Sequence, residues 1–225
     1  MTPAEHLEQL HIFATYMLGT RDEALAAIGE VLDQHPGDPA NWLRALVAPF
    51  MLKKKTHRVD RFGELDDILR THSTIPVDLS HPLVRGDVRR LNVLLAELKR
   101  TCLLTTLRGL TIERRVVFIL RHVLGLSVET CADVCGTTPT GITVADVRGR
   151  QDLENYLSVR CEHLDAGNTC HCVSRLGNAL DRGLVRWPDD PRSNALERDS
   201  TRLPLFRKVS DLYAALPRVR LNIVS

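Results

Sequence analysis

Aromatic residues are scarce in this chain: two Trp, three Tyr and five Phe make up 4% of its 225 residues. Sheet sandwiches and barrels lean on aromatic and β-branched side chains. Their shortage here, beside abundant Leu, Val, Ala, Arg and Glu, points to helix packed on helix. Long apolar runs are also missing. No stretch approaches the roughly 20 residues that span a bilayer, and MTPAEHLEQL at the start has neither the basic lead nor the apolar core of a secretory signal. The expected setting is therefore the cytoplasm, with no membrane partner. Overall charge of one sign is lacking too, at +2, so net charge does not announce a nucleic-acid binder. There is no phosphate-cradling glycine motif, and neither the nine histidines nor the carboxylates form a catalytic constellation, so an enzyme is not expected.

What the chain does have is helical periodicity. Leu7, Leu10, Phe13, Ala14, Met17 and Leu18 recur at helical spacing until Gly19 stops them. Thr20 and Glu23 form a capping box that opens a second helix running to about Gln34. Asp38 and Pro39 start a third, which Pro49 is expected to kink or end. Residues 71–86, THSTIPVDLSHPLVRG, carry two prolines and no helical period, and read as a linker. From Asp87 the period resumes through Val88, Leu91, Leu94, Leu95, Leu98 and Cys102, closing at Gly109. Thr111 then caps a further helix that Gly125 ends.

Ser127 next caps a short helix, Cys135-Gly136-Thr137 makes a tight turn, and Thr138-Pro139 opens a longer helix reaching about Leu157. This is a helix-turn-helix pattern, whose second helix would enter the major groove leading with Thr140 and Thr143 and following with Arg148 and Arg150. Local charge agrees. Lys53, Lys54, Lys55, Arg58 and Arg61 cluster around the single acid Asp60, and Lys99 to Arg121 carries six basic residues, Arg114 and Arg115 among them, against Glu113. Two such patches could track phosphates at two places, or form solvated helix faces.

The stretch LTIERRVVFILRHVLGLSVETCADVCGTTPTGITVADVRGRQDLENYL, residues 110–157, resembles region 4 of the extracytoplasmic-function (ECF) sigma factors of bacterial RNA polymerase. Leu110, Arg115, Phe118, Leu120, Gly125, Ser127, Ala132, Gly136, Ile142, Arg148, Arg150 and Leu153 stand in that family's order and spacing. DEALAAIGEV and NWLRALVAPFMLKKKTHRVDRF look like a weakened region 2. Departures fall at Thr130, where glutamate is common, and at Ala145 and Asp146, where an arginine and an apolar residue are usual.

The resemblance implies an all-α fold of two small domains: a region 2-like domain at 1–70, the linker at 71–86 and a region 4-like helix-turn-helix domain at 87–159. A Cys/His cluster with a short helix at 160–182 and a tail with one helix at 183–225 follow. It further implies docking on core RNA polymerase, contact with promoter DNA and an anti-sigma factor as a further partner. The DNA-contacting set would be Lys53, Lys54, Lys55, Arg58, Arg114, Arg115, Thr138, Thr140, Thr143, Arg148 and Arg150. A sixteen-residue linker extends about 50 Å at about 3.3 Å per residue, longer than one duplex turn of about 34 Å, so one molecule could hold two separated promoter elements.

Beyond the recognition helix lies RCEHLDAGNTCHC, residues 160–172, with three of the six cysteines. Cys161 and His163 are two apart, as are Cys170 and Cys172, so in extended segments each pair shares a side. Gly167 and Asn168 favour reversal of the chain between them. Joining the arms would gather Cys161, His163, Cys170 and Cys172, three sulfurs and a nitrogen suited to tetrahedral Zn²⁺, with Cu(I) also compatible. His171 would face away and serve as a substitute ligand. Ordering this polar loop costs about 1–2 kcal/mol per residue, which a structural zinc site of about 10–16 kcal/mol offsets. A thiol redox switch and free surface thiols are the competing readings. Cys102 and Cys131 fall on apolar faces and read as core. Besides a sigma factor with a metal-binding extension, the chain is compatible with a sigma-derived DNA-binding regulator that does not bind polymerase, or with a metal-binding protein-interaction module.

Overall fold

The computed structural model describes residues 2–52, 80–187 and 205–216. Lys53, Lys54, Lys55, Arg58 and the first part of the expected linker lie outside the described residues. Among the described residues there are nine α-helices and, in place of any strand, a single β-bridge between Cys161 and Cys170. The all-α expectation holds.

The first three helices start and stop where the local chemistry requires. Helix α1, Pro3–Leu18, is opened by Thr2, whose hydroxyl accepts from the Glu5 N–H at 3.3 Å while the Glu5 carboxylate accepts from the Thr2 N–H at 2.7 Å. This capping box precedes the periodic stretch that signals the helix in the sequence. Gly19 ends α1 in the left-handed region at φ 91°. Helix α2, Arg21–Gln34, has Thr20 as its cap, and α3 spans Pro39–Leu52. Pro49 does not end α3. It lies on the exposed side near the last turn, so the acceptor it leaves without an N–H partner sits where water can replace the bond, and the helix runs on to Leu52.

Helix α4 is Val88–Arg108, and α5 is Ile112–Phe118, capped by Thr111. A π-helical turn, Ile119–Val123, continues α5 and closes with the Leu124 N–H donating to the Ile119 carbonyl at 2.9 Å. Helix α6 is Val128–Cys135, with the Ser127 hydroxyl accepting from the Thr130 N–H at 3.1 Å. Helix α7 is Pro139–Leu157, α8 is Cys172–Asp181 and α9 is Val209–Ala214.

Packing divides the chain into two compact units whose sequences interleave. In the first, α1, α2 and α3 join the stretch from Leu107 to Leu153, with α3 against α5 and α6, and α1 against the π turn. Its core contains Leu10, Phe13, Val47, Phe118, Ile119, Leu120, Cys131, Ile142 and Leu153. Each such large apolar side chain removed from water contributes about 1.5–3 kcal/mol. Arg44 of α3 forms an ion pair with Asp133 of α6. That pair is well exposed and counts for little in stability.

The second unit contains α4 as far as Thr106 and the chain from Glu154, including α8 and α9. Val84, Leu91, Leu94, Leu95, Leu176, Ala179, Leu180 and Val185 form its core, flanked by Trp187, over whose ring the Arg90 guanidinium lies at 4.2 Å. Val84 belongs to the stretch expected to be linker, yet it is fully buried. Val209, Leu212 and Tyr213 of α9 are buried, and Leu205, ahead of the helix, is exposed.

Candidate DNA-reading surface and Cys/His clasp

The helix-turn-helix is built by its caps and its glycine. Gly136 ends α6 at φ 60°, a backbone that a side chain would strain. Thr138 then takes the Gly141 N–H on its hydroxyl at 3.1 Å, and Pro139 supplies the first helical residue of α7. Ile142, Ala145, Gly149 and Leu153 line the inner side of α7 and are buried. Gly149 lets the helix approach α5 closely: a Cβ there would stand 3.4 Å from Arg114.

The opposite side of α7 is open. Thr138, Thr140, Thr143, Val144, Val147, Arg148 and Gln151 are all exposed. Thr140, Thr143 and Arg148, expected from the sequence to meet DNA, therefore share one solvent-facing surface. Thr138 stands at the start of that surface, with its hydroxyl engaged as the cap.

Three arginines from the expected DNA set are used differently. Arg115 is buried, and its guanidinium donates to the Met17 carbonyl at 3.3 Å and to the Arg108 carbonyl at 3.1 Å, so in this conformation it has no face to offer a phosphate. The reason is positional: Arg115 follows the α5 cap by four residues, on the side that meets the end of α1. Arg114 is half-buried in an ion pair with Asp152 of α7. Arg150 turns inward, its Nε 3.6 Å from an Asp146 carboxylate oxygen.

Asp146 explains one departure from the usual recognition helix. Its carboxylate lies 2.6 Å from His122 Nε2 on the π turn, and both side chains are largely buried. Burial acts to raise the Asp146 carboxyl. The His122 hydrogen bond and the charges of His122, Arg150 and Arg121 outweigh that and hold it below the usual carboxylate range. Asp146 thus works inward, fixing α7 to its scaffold.

The clasp follows at the end of α7. Arg160 and Glu162 exchange backbone hydrogen bonds with Cys170, at 3.1 and 3.3 Å, forming the parallel bridge that sets Cys161 beside Cys170. Asn168 ties the turn down, its Nδ2 donating to the carbonyls of Ser158 at 2.7 Å and Cys161 at 3.0 Å. The Phe206 N–H donates to the His163 carbonyl at 2.8 Å, attaching the α9 segment.

Cys172 Sγ lies 3.5 Å from His163 Nε2. Two ligands of a tetrahedral zinc ion, at about 2.3 Å for sulfur and about 2.0–2.1 Å for nitrogen, stand about 3.6 Å apart, so this pair already has the edge of such a site. Burial, then the charge of Lys99, pushes the His163 imidazole down to about 4, which leaves it neutral at pH 7. Burial pushes the Cys161 thiol up to about 11, partly countered by hydrogen bonds from the His163 and Leu164 N–H groups to the sulfur.

One donor is not visible in the spacing argument. Glu162, with His163 and Cys172, offers ligand atoms that all lie within 4.8 Å of one another. The Glu162 carboxylate also accepts from the Cys172 N–H at 2.6 Å and stands 2.9 Å from His171 Nδ1. A C-E-H run signals it only once the loop's fold is known. His171 itself is not in that group of donors.

An exposed helix led by threonines and an arginine, fixed from behind by a shorter helix across a glycine turn, defines a helix-turn-helix DNA-binding module. Residues 100–153 match the family model described as Sigma-70, region 4. That stretch of the chain is thus similar to a sigma-70 region 4 domain, which supports a sigma-factor role in transcription initiation. No curated protein and no solved structure matches the chain. Among the described residues no helix is long and apolar enough to cross a membrane.

Proposed function

We propose that the protein is a sigma factor of the extracytoplasmic-function type, directing core RNA polymerase to a restricted set of promoters in the cytoplasm, with the Cys/His clasp as its metal-binding extension. The observation that carries the DNA-reading part is the sidedness of α7. Its inner side is locked by Ile142, Ala145, Gly149 and the Asp146–His122 pair, while Thr140, Thr143 and Arg148 remain exposed. A helix held in this way presents its outer side to the major groove.

Thr138, Thr140, Thr143 and Arg148 are the groove-facing residues in this reading, and Lys53, Lys54, Lys55 and Arg58 are the candidates for a second basic contact. The metal is Zn²⁺, with Cu(I) as the alternative, held by donors from Cys161, His163, Cys170 and Cys172. The 3.5 Å separation of His163 and Cys172 supports it. An anti-sigma partner would act by covering the polymerase- or DNA-binding surfaces. No catalytic step belongs to the protein itself.

Run-off transcription with purified core RNA polymerase is the test. Promoter-dependent transcripts that need this protein support the reading. Steeply salt-dependent duplex binding without polymerase association would instead select a DNA-binding regulator, since neutralised phosphates give the salt slope whether or not polymerase is bound. Loss of both would leave a metal-binding interaction module.

A further inference from the structure

The geometry points to Glu162 as a ligand of the clasp's Zn²⁺, together with His163 and Cys172. This rests on the metal-binding reading of the clasp and changes its ligand set: a carboxylate oxygen takes a place that residue spacing alone gives to sulfur.

The donor atoms of Glu162, His163 and Cys172 all lie within 4.8 Å of one another, and neither Cys161 nor Cys170 belongs to that group. Bond lengths of about 2.0–2.3 Å around a tetrahedral ion put its ligand atoms about 3.4–3.6 Å apart. Cys172 Sγ and His163 Nε2 already stand at 3.5 Å. The carboxylate therefore has to close a gap of at most about 1.3 Å, a small swing for a side chain with several torsions. Its neighbours hold it ready. One carboxylate oxygen accepts from the Cys172 N–H at 2.6 Å, and the other stands 2.9 Å from His171 Nδ1. Each oxygen keeps a second lone pair for a cation, and outer hydrogen bonds of this kind orient ligating carboxylates. His171 thus serves a ligand without being one.

Charge favours the same set. His163 is buried and the Glu162 side chain is only 25% exposed, so net charge at this place is costly. A carboxylate, a thiolate and a neutral imidazole bring two negative charges, which Zn²⁺ cancels. Three thiolates and an imidazole would leave a net negative charge. Donor softness agrees, because Zn²⁺ accepts oxygen, nitrogen and sulfur together whereas Cu(I) gains little from a carboxylate. A four-coordinate ion held by Glu162, His163 and Cys172 has one position left. It therefore carries two sulfurs at most, where the set drawn from spacing carries three.

The test is Zn²⁺ affinity of the full chain by competition with a chromophoric chelator, together with X-ray absorption at the zinc edge to count the sulfur ligands. The Zn²⁺-loaded parent is expected to show one or two sulfurs, its other ligands being oxygen and nitrogen. Glu162→Gln, which keeps an acceptor for the Cys172 N–H and removes the charge, is expected to weaken Zn²⁺ binding about tenfold or more. Cys131→Ser, in the helix-turn-helix, should bind Zn²⁺ as the parent does. Three sulfurs in the loaded parent would overturn the inference and leave the set of Cys161, His163, Cys170 and Cys172 standing, and so would parental affinity in Glu162→Gln. The sulfur count is made on the parent, so it decides the matter even where Glu162→Gln does not fold. A parent protein that binds no Zn²⁺ would overturn both the inference and the metal-binding reading.

Discussion

His122 Nε2 and an Asp146 carboxylate oxygen meet at 2.6 Å, joining the π turn after α5 to the recognition helix α7. The contact lies toward the buried side of α7, nearly opposite Arg148, so it orients the exposed surface from its edge. Asp146 also holds Arg150 at 3.6 Å, which keeps that arginine off the exposed side.

Acid should loosen this joint in a defined window. The folded-state carboxyl of Asp146 is held below the usual range, so its contribution is fully present above the unfolded value of about 3.9 and is lost as pH falls through the lower folded value. Asp146→Asn is expected to lower stability at neutral pH by about 1–3 kcal/mol, the cost of a charge-assisted hydrogen bond. It should also flatten the acid limb of the stability curve. Denaturant melts of both proteins between about pH 2 and pH 7 check this; parallel curves across that range would rule out the carboxylate as the acid-sensitive group.

The helices themselves were legible because their signals are local. Thr20, Thr111, Ser127 and Thr138 each cap a helix, and Gly19, Gly125 and Gly136 take positive φ where the period stops. The threonine and arginine surface of α7 was legible for the same reason, since helical spacing places residues on one side without knowledge of the rest of the fold. What sequence spacing could not reveal is which side faces inward. Arg115 and Arg150 stand among basic residues in the sequence, yet one is buried on carbonyls and the other is drawn to Asp146. Arg115 owes its place to Met17, far off in the sequence, and Asp146, which draws Arg150 inward, is itself held by His122 of the π turn. Glu162 stood outside the expected ligand set for a similar reason: only the folded loop brings its carboxylate within reach of the His163 and Cys172 donor atoms.

Gly19 and Arg108 form a second tertiary joint. Gly19 ends α1 at φ 91°, and the Arg108 guanidinium lies where a Cβ on Gly19 would stand, donating to the Leu18 carbonyl. Gly19→Ala is expected to cost about 1–3 kcal/mol through backbone strain, with added cost from displacing Arg108. In an Arg108→Ala background the penalty should fall to the strain alone. A double-mutant cycle measures the difference, and strict additivity would show that the two residues do not share the site.

The Tyr213 hydroxyl of α9 donates to the Leu103 carbonyl of α4 at 2.9 Å, with the tyrosine almost fully buried. Tyr213→Phe keeps the ring and removes only this bond, so the expected loss is about 0.5–1.5 kcal/mol. Tyr213→Ala, which also empties the ring's volume, should cost about 3–5 kcal/mol. Thermal melts of the full chain separate the two effects. Equal losses would mean that packing contributes nothing beyond the hydroxyl.

Reading and scaffolding arginines should separate in DNA-binding measurements. Arg148 is exposed on the outer side of α7, so Arg148→Ala should weaken binding to all duplex sequences and reduce the salt slope by about one phosphate's share. Thr140→Ala and Thr143→Ala remove exposed hydroxyls, the Thr143 one already donating to the Pro139 carbonyl at 3.0 Å and so left to accept, and should instead erode discrimination, by about 1–3 kcal/mol for each base left without its hydrogen bond, with little change in the salt slope. Arg115→Ala should do neither directly. Its guanidinium serves the Met17 and Arg108 carbonyls, so removing it lowers the melting temperature, while whatever fraction remains folded keeps the parental salt slope. Binding isotherms at several salt concentrations, corrected for folded fraction, decide between the roles. If Arg115→Ala lowers the slope as Arg148→Ala does, Arg115 leaves its carbonyls to meet a phosphate, and the first unit must rearrange on DNA.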